Sequence, residues 1–315
     1  MASQERHLGC LCRGQAGDLC HGSVLTLLFF VDFPIPMSSE PRPEPSLEPT
    51  AGWHVSHLFY RFDRARLRSL GTSELSDGCV EFAAALDPAR PWAPRRLQTL
   101  LVSGHKADFG LILLDPNPLV IDGIHQRLLS GPLGPAIRPT WSFVSMTEVS
   151  EYVPSPEQFG RQLAEGGLDP AGADYQAKLR QYERRLEIMR RHRLHPDLPT
   201  WPAVCFYPMS KRRSADANWF LLDFPERERL MHEHGETGMR FAGKVTQMVT
   251  AAMGLDDWEW GVTLWASHPD FLKDVVYRMR FDEASARYAE FGPFYVGYQA
   301  TPTQILQHCR VGGGE

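Results

Sequence analysis

Residues 53–62 read WHVSHLFYRF, and residues 201–210 read WPAVCFYPMS. Both stretches begin with a tryptophan and continue as apolar and aromatic residues, a composition typical of buried β-strands. A second pair repeats at nearly the same separation, because residues 109–116 (FGLILLDP) correspond to residues 260–269 (WGVTLWASHP). In this pair each strand is closed by a proline turn, after which a helical stretch follows. The chain therefore contains two weakly similar copies of one unit.

The two copies predict an α+β fold. Strands at 142–149 (SFVSMTEV) and 293–298 (PFYVGY) are expected to end the two halves. Strands that alternate with helices in this way favour two ferredoxin-like units in tandem, a dimeric α+β barrel with the sheets packed against each other. A doubly wound dinucleotide-binding fold is disfavoured, because no G-x-G-x-x-G follows a strand and no Walker sequence is present.

Two helices are predicted from the spacing of apolar residues. One apolar stripe steps by four, three and four residues and would end before Gly254, a residue that favours a helix C-terminus. Its members are Phe241, Val245, Met248 and Ala252. A second stripe lies on a segment rich in arginine and consists of Leu179, Tyr182, Leu186 and Met189. The arginines of this second helix are expected to form a solvated face.

The predicted organisation has five parts: a disordered leader over 1–52, an N-terminal ferredoxin-like half over 53–155, a helical connector over 156–199, a C-terminal ferredoxin-like half over 200–300 and a flexible tail over 301–315. The leader is rich in proline after Met37, which is an alternative start to Met1. The spacing of Cys10, Cys12 and Cys20 does not fit a structural zinc site.

The composition excludes several classes of protein. The 315 residues carry 33 lysines and arginines against 38 acidic residues, a net charge of −5, so nothing favours nucleic acid or an anionic membrane surface. The longest apolar run, 24–31, is too short to span a membrane, and no small-residue cleavage site follows it, which disfavours a secretory signal. Six scattered cysteines do not form a disulfide scaffold, so a reducing cytoplasm is favoured.

Residues whose side chains could take part in catalysis or ligand binding are densest between 207 and 287. Tyr207 and Lys211 are four residues apart at the end of a predicted strand, where their side chains can point into a cleft. His232 and His234 lie on different faces of a predicted helix and do not form H-E-x-x-H, so a zinc site is disfavoured. No G-x-S-x-G motif or paired-acid constellation is present.

Several blocks in this region closely resemble the coproheme decarboxylases of the chlorite dismutase-like family. The blocks are residues 207–213 (YPMSKRR), 234–235 (HG), 242–247 (AGKVTQ), 258–264 (WEWGVTL) and 279–288 (MRFDEASARY), and the resemblance spans about residues 53–298. It implies two ferredoxin-like halves per subunit, haem in the C-terminal half and a homopentamer. The internal repeat agrees with the first of these implications.

The resemblance also implies roles for individual residues. His234 would bind the iron on the proximal side, and Gln247 would lie over it on the distal side. Tyr207 would become a radical that removes hydrogen from a propionate, while Lys211 would hold that propionate and handle protons. The remaining carboxylates would be anchored, and the macrocycle contacted, by four further residues: Arg193, Arg280 and Ser285 for the carboxylates, and Met209 for the macrocycle.

The implied reaction is the oxidative decarboxylation of iron coproporphyrin III to haem b by hydrogen peroxide, with iron porphyrin as both substrate and redox centre. A transient contact with the preceding ferrochelatase is implied as well. Three alternatives remain: a chlorite dismutase, which has a distal arginine where this chain has Gln247; a haem peroxidase, although the G-x-x-D-G motif of dye-decolourising peroxidases is absent; and a non-enzymatic haem-binding protein.

Overall fold

The computed structural model describes residues 44–312. Most of the predicted leader, Met37 and the three cysteines at positions 10, 12 and 20 lie outside these residues. The strands are β1 His54–Phe62, β2 Arg96–Val102, β3 Phe109–Asp115, β4 Ile137–Thr147, β5 Ala203–Lys211, β6 Arg213–Ser214, β7 Ala217–Asn218, β8 Val245–Ala251, β9 Trp260–Ala266, β10 Ala289–Phe291 and β11 Tyr295–Gln299. The helices are α1 Arg64–Ser69, α2 Thr72–Ala85, α3 Pro118–Ser130, α4 Pro156–Glu165, α5 Ala173–Leu194, α6 Phe224–Met239, α7 Pro269–Met279, α8 Glu283–Ala286 and α9 Pro302–His308.

The two halves have the same strand order. In the first half the neighbours run β4-β1-β3-β2, and in the second they run β11-β5-β9-β8. All of these pairs are antiparallel, and helices α2 and α3, or α6 and α7, connect the strands of each half. This is the ferredoxin-like arrangement, so the predicted tandem α+β fold is confirmed.

The halves join at their edges and close a barrel. Strand β11 pairs with β2 through Tyr298 and Leu101, and β4 pairs with β8 through Met146 and Ala251. The barrel interior is filled from both halves by two clusters, one aliphatic with Trp265 and one largely aromatic. Because the barrel is closed, the edge strands of both halves are paired at these junctions. Closure also holds the outer face of β5 in a fixed position.

Glycines at matching positions of the two halves allow this close packing. A Cβ on Gly110 in β3 would lie 2.8 Å from the Phe59 ring, and a Cβ on Gly261 in β9 would lie 2.5 Å from the Phe143 ring. Both distances are shorter than carbon atoms tolerate, so any larger residue would push an interior aromatic ring away. The shared phenylalanine-glycine and tryptophan-glycine steps of the repeat therefore have a packing cause.

The helix predicted from Phe241 to Ala252 is wrong, because the structure has strand β8 there. Val245 and Val249 pack on the outer cluster around Tyr207, whereas Met248 packs inside the barrel. Because β8 has apolar residues on both faces, they do not alternate strictly, and this pattern produced an apparent helical spacing. The other predicted helix is confirmed: α5 contains all four residues of its apolar stripe.

The predicted flexible tail is also wrong for the residues that the structure describes. Thr301 caps α9 by accepting a hydrogen bond from the Gln304 backbone N–H, and Ile305 and Leu306 are buried. They pack in the core cluster of the N-terminal half together with Phe62. In the described part of the chain, no helix is long and apolar enough to cross a membrane.

Candidate active site

The outer face of β5 carries three of the residues singled out from the sequence. Tyr207, Met209 and Lys211 alternate with residues that point into the barrel, so their side chains share one face. Tyr207 and Lys211 are buried, and Met209 is partly buried. The alternation of the strand thus places a phenol, a thioether and an ammonium in one line.

Lys211 is enclosed by an aromatic ring and a backbone carbonyl. Its Nζ lies 3.9 Å from the centre of the Trp219 ring and donates a hydrogen bond to the Ala284 carbonyl oxygen at 3.2 Å. Burial lowers the pKa of the ammonium to about 8, although the charges of Asp282 and Glu259 oppose this shift. Lys211 is therefore a cation that can release a proton close to neutral pH.

Tyr207 lies in an aromatic pocket. Its ring stacks on Phe294 with centroids 4.5 Å apart and meets Phe291 edge-on at 5.7 Å. Burial raises the pKa of the phenol, so the hydroxyl remains protonated, and the nearby Arg280 charge only partly opposes the rise. The Arg280 guanidinium lies 5.0 Å above the Phe291 ring, which brings a positive charge to the edge of this pocket.

His234 is held by a buried carboxylate. Its Nδ1 lies 3.1 Å from Asp282 Oδ2 and 3.3 Å from Ser285 Oγ. Burial of Asp282 would raise its pKa, but the hydrogen bond and charge of His234 and the hydrogen bonds of Ser285 hold that pKa below its usual value. When the imidazole is neutral, the ionised carboxylate can accept the Nδ1 proton, and in that tautomer Nε2 keeps a lone pair for a metal. His232 is instead 75% exposed, near Glu236.

A single turn of the chain connects the imidazole to the ammonium. Asp282 and Ser285 contact His234, while the carbonyl of Ala284 accepts a hydrogen bond from Lys211. Asp282 also accepts the Ser285 backbone N–H at 2.9 Å, which caps the short helix α8. The structure therefore brings His234, Ser285 and Lys211 together around residues 282–285.

Gln247 is exposed on β8 and shares its face with Val245 and Val249, which pack on the cluster of Tyr207. It is paired with Leu264 of β9, which is paired in turn with Cys205 of β5. Two strand spacings, about 10 Å, therefore separate Gln247 from β5 on the same face of the sheet.

Arg193 is not brought to this cluster by any described contact. It is exposed in the last turn of α5, and its charge acts on Glu148. Burial raises the pKa of Glu148, and the Trp260 hydrogen bond and the Arg193 charge oppose that rise. Because Trp260 donates a hydrogen bond to Glu148 and is paired with Met209, Arg193 acts near the end of the sheet where β5 and β8 end and β9 begins.

The residues present fit an iron porphyrin. Such a group needs a fixed imidazole nitrogen, apolar surface for the macrocycle and cations for its carboxylates. His234 supplies the first, and Lys211 and Arg280 supply charge. Exposed apolar side chains come from Met239, the last residue of α6, which is 73% exposed, and from Phe281, next to Asp282 between α7 and α8, which is 65% exposed.

Two residues of the site were missed by the assignment of roles from the sequence. Asp282 stands three residues before Ser285, a spacing typical of a helix N-cap, so its carboxylate could have been placed beside Ser285. Trp219 occurs in a noticeable Asn-Trp-Phe run, but nothing in the sequence pairs it with Lys211. That contact exists because the loop after β5 folds back along the strand.

Comparison with known proteins gives the family. The family model for chlorite dismutase matches residues 78–300. A coproheme decarboxylase of Staphylococcus carnosus is 36% identical over 259 residues, which cover 81% of this chain and 94% of that protein. A Natronomonas pharaonis protein named "Putative heme-binding protein" is also 36% identical over 81% of this chain, which spans only 40% of that relative's length.

Solved structures agree with the sequence relatives. A heme-binding protein from Thermus thermophilus matches with a TM-score of 0.65 and 33% identity, covering 85% of this chain and 100% of the other. A mutant chlorite dismutase from Candidatus Nitrospira defluvii matches with a TM-score of 0.61 at 15% identity over 83% of this chain and 97% of the other, and it supports the fold alone. From the family match and the sequence identities, the chain belongs to the chlorite dismutase family.

Proposed function

We propose that the protein is an enzyme that converts iron coproporphyrin III to haem b with hydrogen peroxide. The observation that carries this proposal is the turn 282–285, which contacts both the fixed imidazole of His234 and the ammonium of Lys211. The name of the Staphylococcus carnosus relative supports the same substrate. A haem-binding protein without chemistry would not need a buried lysine and a buried phenol on one strand face.

The reaction releases the carboxyl groups of two propionates as carbon dioxide. The two remaining carbons of each propionate become a vinyl group. For each group, one propionate, one hydrogen peroxide and one proton give one vinyl, one carbon dioxide and two waters. The iron porphyrin, as substrate, supplies the redox chemistry with peroxide. The protein supplies position, a hydrogen acceptor and the proton.

In this proposal His234 binds the iron through Nε2, with Asp282 fixing the orientation of the ring. The peroxide-oxidised porphyrin would take the hydrogen atom of the Tyr207 hydroxyl, the resulting phenoxyl oxygen would take one from the propionate, and the porphyrin would accept the second electron as carbon dioxide leaves. Lys211 pairs with that carboxylate and delivers the proton.

The other carboxylates are anchored by Arg280, Ser285 and Arg193. Met209 contacts the macrocycle, and Gln247 lies on the side of the porphyrin opposite to His234. Because Ser285 already bonds to Asp282 at 3.3 Å, a carboxylate there would share its hydroxyl.

The family also contains chlorite dismutases, and Gln247 disfavours that activity in this protein. A neutral amide carries no charge with which to hold the chlorite anion, whereas an arginine does. We further propose a homopentamer in the cytoplasm that receives its substrate in a transient contact with the preceding ferrochelatase.

A mass spectrum of the bound porphyrin tests the proposed function. The full chain is loaded with iron coproporphyrin III, treated with peroxide and extracted. We expect the porphyrin to lose two carbon dioxide molecules and four hydrogens. His234→Ala should prevent loading and conversion, whereas His232→Ala should not. Bleaching without a vinyl product, or equal losses in the two histidine variants, would overturn the proposal.

A further inference from the structure

An open groove lies between the last turns of α5 and the first strands of the N-terminal half. Its volume is about 500 Å³, and its lining residues are Trp53, Arg96, Ile188, Arg191, His192, His195 and Asp197. The four lining residues from 188 to 195 are spaced as one face of a helix, and Arg193 is not among them. The groove is therefore distinct from the carboxylate anchor proposed for Arg193.

Positive charge dominates the groove. It contains two arginines, two imidazoles that can donate a hydrogen bond in either charge state, and a single carboxylate. Within residues 44–312, Arg191 forms no ion pair. Arg96 forms one, from Nη2 to Asp197 Oδ1 at 2.6 Å. The Asp197 side chain is 83% exposed, so this carboxylate can leave the guanidinium at little cost.

The Arg96 guanidinium has hydrogen bonds left to make. One Nη1 hydrogen goes to the carbonyl of the adjacent Arg95 at 2.8 Å, and Nε is buried without a partner. Unsatisfied buried donors are rare and costly in folded proteins. The basic residues in the last turn of α5 stabilise the negative end of that helix, but this effect does not involve Arg96, which lies on β2.

The groove is also held in shape by the fold. Thr147 Oγ1 donates to the carbonyl of Leu194, the last residue of α5, at 2.8 Å and accepts from the Trp53 backbone N–H at 2.8 Å. The Arg96 guanidinium lies 5.4 Å above the Trp53 ring, which meets His195 edge-on at 4.9 Å. A ligand thus finds Arg96 and the aromatic wall already arranged, and ordering them costs little.

We propose that this groove binds a small, multiply charged oxyanion, a phosphate- or carboxylate-bearing compound, paired with Arg96 and Arg191. Asp197 occupies part of the site as an internal competitor. Planar guanidinium groups suit such oxyanions because they can form two parallel hydrogen bonds with them. This proposal does not depend on the porphyrin chemistry, because none of the lining residues belongs to the candidate active site.

Isothermal titration calorimetry on the full chain at constant ionic strength tests the proposal, with pyrophosphate in one series and citrate in the other. We expect saturable binding of at least one probe, and the tighter probe identifies phosphate or carboxylate as the ligand group. Arg191→Gln should weaken binding roughly tenfold, the loss of one charge-assisted contact. The matched control, Arg190→Gln, removes the neighbouring charge outside the groove and should change nothing.

The variant Asp197→Asn is expected to raise the affinity for the probe, the opposite of what unfolding would do. Asp197→Asn removes the competing carboxylate and should tighten binding of the same probe, whereas any loss of fold would weaken it. Failure of both probes to bind, equal weakening in Arg190→Gln and Arg191→Gln, or weaker binding in a folded Asp197→Asn protein would each overturn the proposal.

Discussion

Lys211 is both charged and buried, two properties that most lysines do not combine. Its ammonium is charged at neutral pH, yet it is buried against Trp219, so burial lowers its pKa to about 8. The protonated form pairs with a carboxylate and provides a proton, and this form is present below the pKa and lost above it. The structure thus gives the proposed conversion a pH limit on its alkaline side.

The first prediction concerns that limit. The kcat/KM of peroxide-driven conversion for the porphyrin, which reports the free protein, should fall as the pH rises through about 8 in the unaltered protein. Lys211→Arg keeps the charge at higher pH, so its slower conversion should not show this fall. Rates measured by chromatography across the pH range test this, and an identical fall in both proteins would remove Lys211 from the proton step.

The sequence predicted candidate residues better than their partners. Tyr207 and Lys211 are close in the chain, and strand alternation alone predicts that they share a face. Asp282 reaches His234 from another element, and Trp219 covers Lys211 only because of a loop conformation. Contacts between elements depend on how helices and loops pack, and spacing along one element carries no information about that.

At the scale of elements, apolar residues on both faces of a strand limited the prediction of secondary structure. Strand β8 is paired on both sides, and its valines and its methionine face opposite layers, so no alternation revealed it. Helix α9 was missed because its apolar residues form less than two turns, too few to show a period. Longer elements with one exposed face, such as α5, were predicted correctly.

The second prediction tests whether α9 is part of the fold. Ile305→Ala should lower the free energy of unfolding by about 2 to 5 kcal/mol, since the side chain is fully buried and a cavity would remain. Gln307→Ala, on the exposed side of the same helix, should have little effect. Urea unfolding measures both, and equal small changes would mean that the C-terminal helix is dispensable.

The whole molecule shows how a duplicated unit acquired one site. Gly110 pairs with Phe59 as Gly261 pairs with Pro208, so Phe62 in the first half corresponds to Lys211 in the second. The N-terminal face packs in a core cluster that includes residues of α9, whereas the C-terminal face carries polar groups beside α6 and α8. Within residues 44–312, the face of the first half that corresponds to Lys211 is therefore filled by core packing, and in the second half the same face carries the candidate active site.

The third prediction concerns the contact between the halves. His57, on β1, accepts or donates a hydrogen bond with Thr263, on β9, at 2.8 Å, and burial lowers its pKa from 6.5 to about 3. The unfolded chain therefore binds a proton that the folded chain does not, so this contribution to stability is full above pH 6.5 and is lost as the pH falls toward 3.

Urea unfolding at about pH 7.5 and about pH 5 measures this loss, which should amount to about 2 kcal/mol for one histidine. His57→Gln should be less stable at the higher pH but should lack that part of the pH dependence. His232→Gln, at an exposed histidine, is the control and should keep it. The same pH dependence in all three proteins would contradict a neutral buried His57.

The proposed conversion depends on Tyr207 performing chemistry. Tyr207→Phe keeps the ring that stacks on Phe294 and removes only the hydroxyl. Tyr295→Phe, at a buried tyrosine inside the barrel, is the matched control. Both variants are loaded with iron coproporphyrin III, visible spectra establish loading, and chromatography follows the products after peroxide. We predict that Tyr207→Phe binds the porphyrin but forms no haem b, while Tyr295→Phe converts it normally. Rapid formation of haem b by Tyr207→Phe would contradict the account.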